Sequence, residues 1–219
     1  MKTRSIDEIR EVLKAKNYKF FEKGDFNLNL IAIREDDTFD NKFSDSLQML
    51  YKENGVWKAP AFKFTTLAGT LGFGGEKAPL TAADTGTGVD GVAIILEGQY
   101  PGVYEYVNTG YRYPFVEYLN QVGNFDYLRD NNKDGLVSRN STRQTGNFKT
   151  CFHAMSWINK NGTYSDSEFV NYIGSPYSQG CIGAPALTMF TGIMPIIRQS
   201  VKIWGKKFTP TILHAKDFV

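Results

Sequence analysis

Only two cysteines, Cys151 and Cys181, and two histidines, His153 and His214, occur in the 219 residues of this chain. Any Cys/His chemistry therefore has few places to sit, and three of the four residues fall between positions 151 and 181. The thiolate is the attacking form of a cysteine, so a nucleophilic Cys needs a neighbour that lowers its pKa or takes its proton. Cys181 stands in Ser178-Gln179-Gly180-Cys181-Ile182-Gly183. A glycine-flanked cysteine on a turn has an exposed sulfur and a closely approachable backbone, which suits a nucleophile. His153 is the obvious partner, as general base and acid, with Ser178 orienting the histidine or the turn. The backbone N–H groups of Gly180 and Cys181 then suit the developing oxyanion of an acyl-transfer intermediate.

Blander readings stand beside that one. A lone Cys is commonly a small buried hydrophobe, and His214, near the C-terminus, reads as structural. No CxxC or HExxH spacing supports a zinc site. Cys151 lies two residues before His153, so on a strand the two share a face. It reads as a packing residue that approaches Cys181, with an oxidation-sensitive neighbour as the alternative.

Several elements must position these groups. Ser5 followed by Glu8 is a capping-box pattern, and Ile6, Ile9, Val12 and Leu13 recur at helical spacing, which predicts a short amphipathic helix over 5–16. Beyond it the apolar period becomes two, from Phe26 to Ile33. Further strands are expected at Ser46–Glu53, Gly55–Thr65, Val89–Leu96, Gly102–Asn108, Phe115–Leu119, Asn124–Asp130 and Gly146–Ala154. Many short strands separated by Gly, Asn and Asp predict a single, mainly β domain over 1–219, an antiparallel sandwich or barrel-like sheet with one or two peripheral helices.

Composition excludes more than it identifies. With 42% hydrophobic and 22% charged residues, the chain is neither disordered nor fibrous. The net charge of +2 is spread along the sequence without a basic stripe, so nucleic acid is not an expected partner. No apolar run follows the basic N-terminus and none reaches the length of a membrane span. The expectation is a protein made in the cytoplasm without a cleaved signal, reaching a cell wall by export, lysis or carriage on a virion.

The order His153 before Cys181, with Ser178, Gly180 and Ile182, resembles the L,D-transpeptidase catalytic domain. That family's signature is a histidine on a strand followed by a Ser/Thr-His-Gly-Cys-hydrophobic turn. The resemblance implies a mostly antiparallel β sandwich and a cysteine acyl-enzyme that acts on peptidoglycan stem peptides, as an L,D-peptidase or L,D-transpeptidase. A looser likeness, through residues 26–34, 64–66, 98–100 and 129–131, is to phage-encoded proteins with the same His and Ser-x-Gly-Cys pair. It implies a role in phage lysis or cell-wall penetration. Three departures stand out. Gln179 replaces the usual second histidine, Gly183 stands where Arg or Asn commonly follows, and the His-to-Cys separation implies an insertion around 159–171. A catalytically inactive structural or wall-binding protein that keeps the fold is the alternative.

Lesser signals complete the inventory. Asp130, Asn132 and Asp134, followed by Gly135, match the first half of a calcium loop, but Ser141 stands where a bidentate Glu belongs. The stretch reads as a hairpin turn or a weak Ca2+ site, and no other cofactor is expected. Tyr100, Tyr104, Tyr106, Tyr111, Tyr113, Phe115 and Tyr118 read as a packed strand face or as a binding wall, to which Tyr177, Gln179 and Trp157 would add substrate contacts. Arg112, Arg129, Arg139 and Arg143 are candidates for a substrate carboxylate.

Overall fold

The computed structural model describes residues 2–39, 42–67, 92–110, 116–130, 136–155 and 180–218. One helix, α1 (Ile6–Ala15), opens the chain, and a second, α2 (Met194–Trp204), lies near its end. The strands in the first half are β1 (Asn29–Arg34), β2 (Asp45–Glu53), β3 (Val56–Lys58), β4 (Ala61–Phe64), β5 (Ala93–Ile95), β6 (Gly98–Gln99) and β7 (Tyr104–Asn108). Those in the second half are β8 (Glu117–Gln121), β9 (Phe125–Arg129), β10 (Gln144–Gly146), β11 (Cys151–Ala154), β12 (Ile182–Ala184), β13 (Lys207–Phe208) and β14 (Pro210–His214). The described chain is thus mainly β.

The strands form three sheets, β3-β2-β1-β14-β6 with β4 also on β2, β10-β9-β5, and β12-β11-β8-β7-β13. Leu30 and Ala32 of β1, Leu47 of β2, Phe64 of β4 and Pro210 of β14 face Tyr104, Leu119, Phe152 and Ile182 from the third sheet. The cavity between them is only about 10 Å3, at the limit of what one water occupies. Alternation along β11 follows from this packing. Phe152 and Ala154 point into the shared core, so Cys151 and His153 point to the opposite face.

α1 explains why β1 is apolar on both sides. Its capping box forms as the sequence predicts, with Ser5 Oγ accepting from Glu8 N–H and Glu8 Oε2 accepting from Ser5 N–H. Ile9 and Leu13 are buried against Ile31, Ile33, Leu50 and Leu213, while Leu30 and Ala32 face the inter-sheet core. Burying each such side chain contributes about 1.5–3 kcal/mol. β14 is buried at all five positions for the same reason, which leaves no alternation for sequence reading to find.

Several sequence expectations need correction. The sheets are not purely antiparallel, because β1 pairs with β14 and β11 with β12 in parallel. Gly55–Thr65 divides into β3 and β4 around Ala59-Pro60, since proline cannot donate to a ladder. Gly146–Ala154 divides because Lys149, at φ 61°, turns the chain from β9's sheet into β8's. β1 begins at Asn29 rather than Phe26, whose φ of 52° breaks the strand. The apolar segment after Cys181 is helical, running Ala186–Thr188, then a π-turn over Met189–Ile193, then α2. No helix among the described residues is long and apolar enough to cross a membrane.

A buried charged cluster fastens the end of β1. Arg34, fully buried, donates to Thr66 Oγ1, to Ile95 O and to Glu97 Oε1 at 3.1 Å. Arg139 bridges Glu97 and Asp37. Burial pushes the Glu97 carboxyl up, but the Arg139 hydrogen bonds and the Arg34 charge outweigh it and hold the pKa at about 2. A carboxylate depressed below its ordinary 4.5 adds stability above that pH and loses it as pH falls toward 2. The melting temperature should therefore drop steeply between pH 4.5 and 2. Glu97→Gln should cost on the order of 3 kcal/mol at pH 7 by leaving Arg34 unpaired, and flatten that acid limb; an unchanged acid limb would refute the assignment.

Candidate active site

Three of the four Cys/His residues meet at one edge of the third sheet. β11 and β12 pair in parallel with Phe152 opposite Ile182 and His153 opposite Gly183. One step back along both strands, Cys151 stands beside Cys181. The backbone N–H of Cys151 donates to Cys181 Sγ at 3.2 Å, and both the Cys151 thiol and the His153 ring hydrogen-bond to the same sulfur. His153 Nδ1 lies 2.6 Å from the Ala154 carbonyl oxygen. A carbonyl only accepts, so Nδ1 carries the proton there and Nε2 is the nitrogen left for the sulfur.

The electrostatics follow from these contacts. The hydrogen bond from the Cys151 thiol draws the Cys181 pKa well below the ordinary thiol value. Burial opposes it, and the hydrogen bond and charge of His153 reinforce it. Cys151 moves the other way, held up first by its hydrogen bond to Cys181, then by burial and the neighbouring negative charge. These contacts favour the negative charge on Cys181 and the proton on Cys151. Burial, followed by the charges of Cys181 and Cys151, raises the Tyr104 hydroxyl well above the usual phenol range.

The glycines around Cys181 are required sterically. Gly180 has φ 141°, and a Cβ there would meet Ala93 Cβ at 2.8 Å and Phe148 Cε2 at 3.0 Å. The Gly180 carbonyl accepts from Thr150 Oγ1 at 2.6 Å. Because a trans peptide points its C=O and N–H in opposite directions, this bond turns the Cys181 N–H away from Thr150. At Gly183 a Cβ would lie 1.9 Å from the His153 carbonyl oxygen and 2.8 Å from Met155 Cγ. An Arg or Asn at this position has no room. Gly183 also exchanges backbone hydrogen bonds with Thr65, tying β12 to the end of β4.

Support for β11 comes from residues that sequence reading missed. Gln121 Oε1 accepts from Thr150 N–H at 2.9 Å, while its Nε2 donates to Gly123 O and Gly146 O. Asn147 Oδ1 accepts from Lys149 N–H and props the left-handed turn before the strand. Asn120, opposite Cys151 on β8, places Oδ1 3.7 Å from the Cys151 sulfur. A polar strand neighbour carries no motif, so spacing alone had no means of finding Asn120 or Gln121. Cys151 approaches Cys181 as expected, and beyond packing its thiol and N–H both contact the Cys181 sulfur.

The remaining predicted residues divide. Trp157, Tyr177, Ser178 and Gln179, and the insertion expected at 159–171, lie outside the described residues, as do Arg112, Tyr111, Tyr113, Phe115, Asn132 and Asp134. Asp130 is buried at the end of β9, its N–H donating to Val92 O. Among the described residues no group of three or more His, Cys, Asp or Glu is placed to hold a metal. Tyr100 and Tyr104 pack edge-on against Phe125 in the core, and Tyr106 donates to Glu117. Arg139 is held by Asp37 and Glu97, Arg143 by Asp126, and Arg129 is buried over Tyr127 and Phe148. His214 belongs to the first sheet, with Nδ1 accepting from Lys216 N–H and Nε2 3.5 Å from Asp37.

A depressed thiol pKa has a direct readout. A thiolate fraction is lost as pH falls through the folded pKa, so Cys181 alkylation by iodoacetamide should stay fast well below the ordinary thiol range of about 8.5. His153→Ala should shift the fall in rate to higher pH, and Cys151 should resist alkylation throughout. A wild-type profile that follows a free thiol would refute the arrangement. Gly183→Ala should cost on the order of 3 kcal/mol through overpacking, read from the urea midpoint.

No protein-family model, curated protein sequence or solved structure matches this chain.

Proposed function

We propose that the chain is a cysteine-dependent acyl-transfer enzyme acting on bacterial peptidoglycan stem peptides, as an L,D-peptidase or L,D-transpeptidase. The observation that carries the reading is the Cys181 sulfur set against the Cys151 N–H and the His153 ring, whose far nitrogen is held on the Ala154 carbonyl. Two packed sheets with the cysteine at the start of a short strand agree with the L,D-transpeptidase resemblance, and the His153, Ser178, Gly180, Cys181 and Ile182 match supplies the substrate class.

The chemistry follows in order. Cys181 Sγ attacks the peptide carbonyl carbon, and the Cys181 and Gly180 N–H groups stabilise the oxyanion. His153 delivers its proton to the leaving amine as the C–N bond breaks, leaving a thioester on Cys181. Water or a second amine then attacks the thioester, gives its proton back to His153, and releases Cys181. Removal of one oxyanion donor in such sites costs about a hundred- to a thousandfold in rate. A role in phage lysis or cell-wall penetration fits this substrate.

The crowding at Gly183 favours one second reading, a wall-binding protein that keeps the fold without turnover, because a side chain there is excluded. Purified sacculi separate the two. The wild-type protein should release or exchange stem peptides detectable by mass spectrometry of muropeptides, Cys181→Ala should abolish this, and His153→Ala should slow it about 10²–10⁴-fold. Co-sedimentation with an unaltered muropeptide profile would overturn the enzyme reading in favour of the second.

A further inference from the structure

Cys151 and Cys181 occupy adjacent parallel strands, one residue before the Phe152–Ile182 pair. Neighbouring strands lie about 4.8 Å apart, inside the roughly 4.4–6.8 Å Cα separation that a disulfide spans. The Cys151 side chain leaves β11 on the face opposite Phe152, which points into the core, and Cys181 Sγ lies against the Cys151 backbone N–H. The Cys151 N–H already contacts Cys181 Sγ at 3.2 Å, and the two sulfur groups are hydrogen-bonded. The residue Cys181 is half-buried and Cys151 is buried.

We propose that this pair is a redox modification site, at which a peroxide oxidises Cys181 and Cys151 closes on it to form a reversible disulfide. In the first step the Cys181 sulfur attacks one peroxide oxygen and the O–O bond breaks. Sulfur is oxidised to the sulfenic acid, and the other oxygen leaves, reduced, as hydroxide that is protonated to water. In the second step the Cys151 sulfur attacks the sulfenic sulfur. The S–S bond forms, the S–O bond breaks, and the oxygen departs as water with the proton from Cys151. An external dithiol reverses the reaction by exchange and is itself oxidised.

The same contacts explain the order of events. While Cys181 is anionic, its hydrogen bond and charge keep Cys151 protonated, and burial adds to this. The sulfenic acid is neutral, so the first oxidation removes that hold on Cys151 as an electrophilic sulfur appears beside it. Asn120 Oδ1, at 3.7 Å, and Lys149 O, at 3.9 Å, accept hydrogen bonds from the Cys151 thiol, whose proton leaves with the sulfenic oxygen as water. The disulfide also protects Cys181 from the further oxidation to sulfinic acid that thiols do not reverse. None of this depends on what Cys181 acylates, because the site is defined by the two sulfurs alone.

The test is intact-mass and peptide mapping of the reduced full-length protein after graded hydrogen peroxide. Wild type should lose two hydrogens in mass and both free thiols, give one intramolecular Cys151–Cys181 peptide, and return to its starting mass with dithiothreitol. Cys151→Ser, checked for folding by circular dichroism, should instead gain one and then two oxygens on Cys181, the second not reversed by dithiothreitol. Cys151→Ala controls for the serine hydroxyl and should behave as Cys151→Ser does. Wild type that accumulates sulfinic acid as fast as Cys151→Ser, or that forms only intermolecular disulfides, would overturn the proposal. Sacculus activity is not measured, so this outcome is independent of the acyl-transfer reading.

Discussion

The parallel pairing of β11 with β12 is the constraint on which the site depends. Its register sets His153 against Gly183 and leaves Cys151 beside Cys181. It holds because Gly183 has no side chain, since a Cβ there would collide with the His153 carbonyl oxygen. The same glycine exchanges hydrogen bonds with Thr65 at the end of β4, so the edge that carries Cys181 is anchored to both facing sheets. Cys181 is therefore fixed by backbone geometry on both sides, with Gly180 pressed on Ala93 before it and Gly183 on β11 after it. Side-chain packing then needs to orient only the imidazole.

Two solutions to burying charge coexist in this protein. Around Arg34, cations and carboxylates neutralise one another, and the cost of desolvation is met by ion pairs with Glu97 and, through Arg139, Asp37. Such clusters fix geometry and resist change, because removing one partner strands the other. At Cys181, among the described residues, no carboxylate is among the groups that set its pKa, and the sulfur is stabilised by hydrogen-bond donors and by His153. A charge held by donors can be given up without stranding a permanent counter-charge, which suits a group that must form and break covalent bonds. The first arrangement pairs fixed opposite charges and the second surrounds one sulfur with donors, although both are buried and polar.

What sequence conveyed follows the range of each interaction. α1 was legible because its capping box and apolar period are local, and both appear as read. The Cys181 and His153 pairing was legible because rare residue types narrow the choices and glycines mark a turn. The contact between Cys151 and Cys181 joins residues thirty positions apart through strand register, and no periodicity encodes register between distant strands. β12 is too short, and β14 too evenly buried, to carry an alternating pattern. The break before β11 was hidden because it rests on Lys149 in a left-handed conformation, where sequence reasoning expects Gly or Asn.

The backbone carbonyl of Ala154 completes the logic of the site. Histidines that serve a nucleophile are often oriented by a carboxylate, which places a second negative charge near the first. Here a second anion would lie next to a thiolate that burial already opposes. A carbonyl fixes the tautomer through Nδ1 and brings only a dipole. It also belongs to β11, so the strand that carries the imidazole orients it, and Met155 N–H bonded to Ala184 O fastens the same stretch to β12. Cys181, His153 and the carbonyl that orients it thus depend on one pair of strands, and the register that brings the two sulfurs together is the one that aims the histidine.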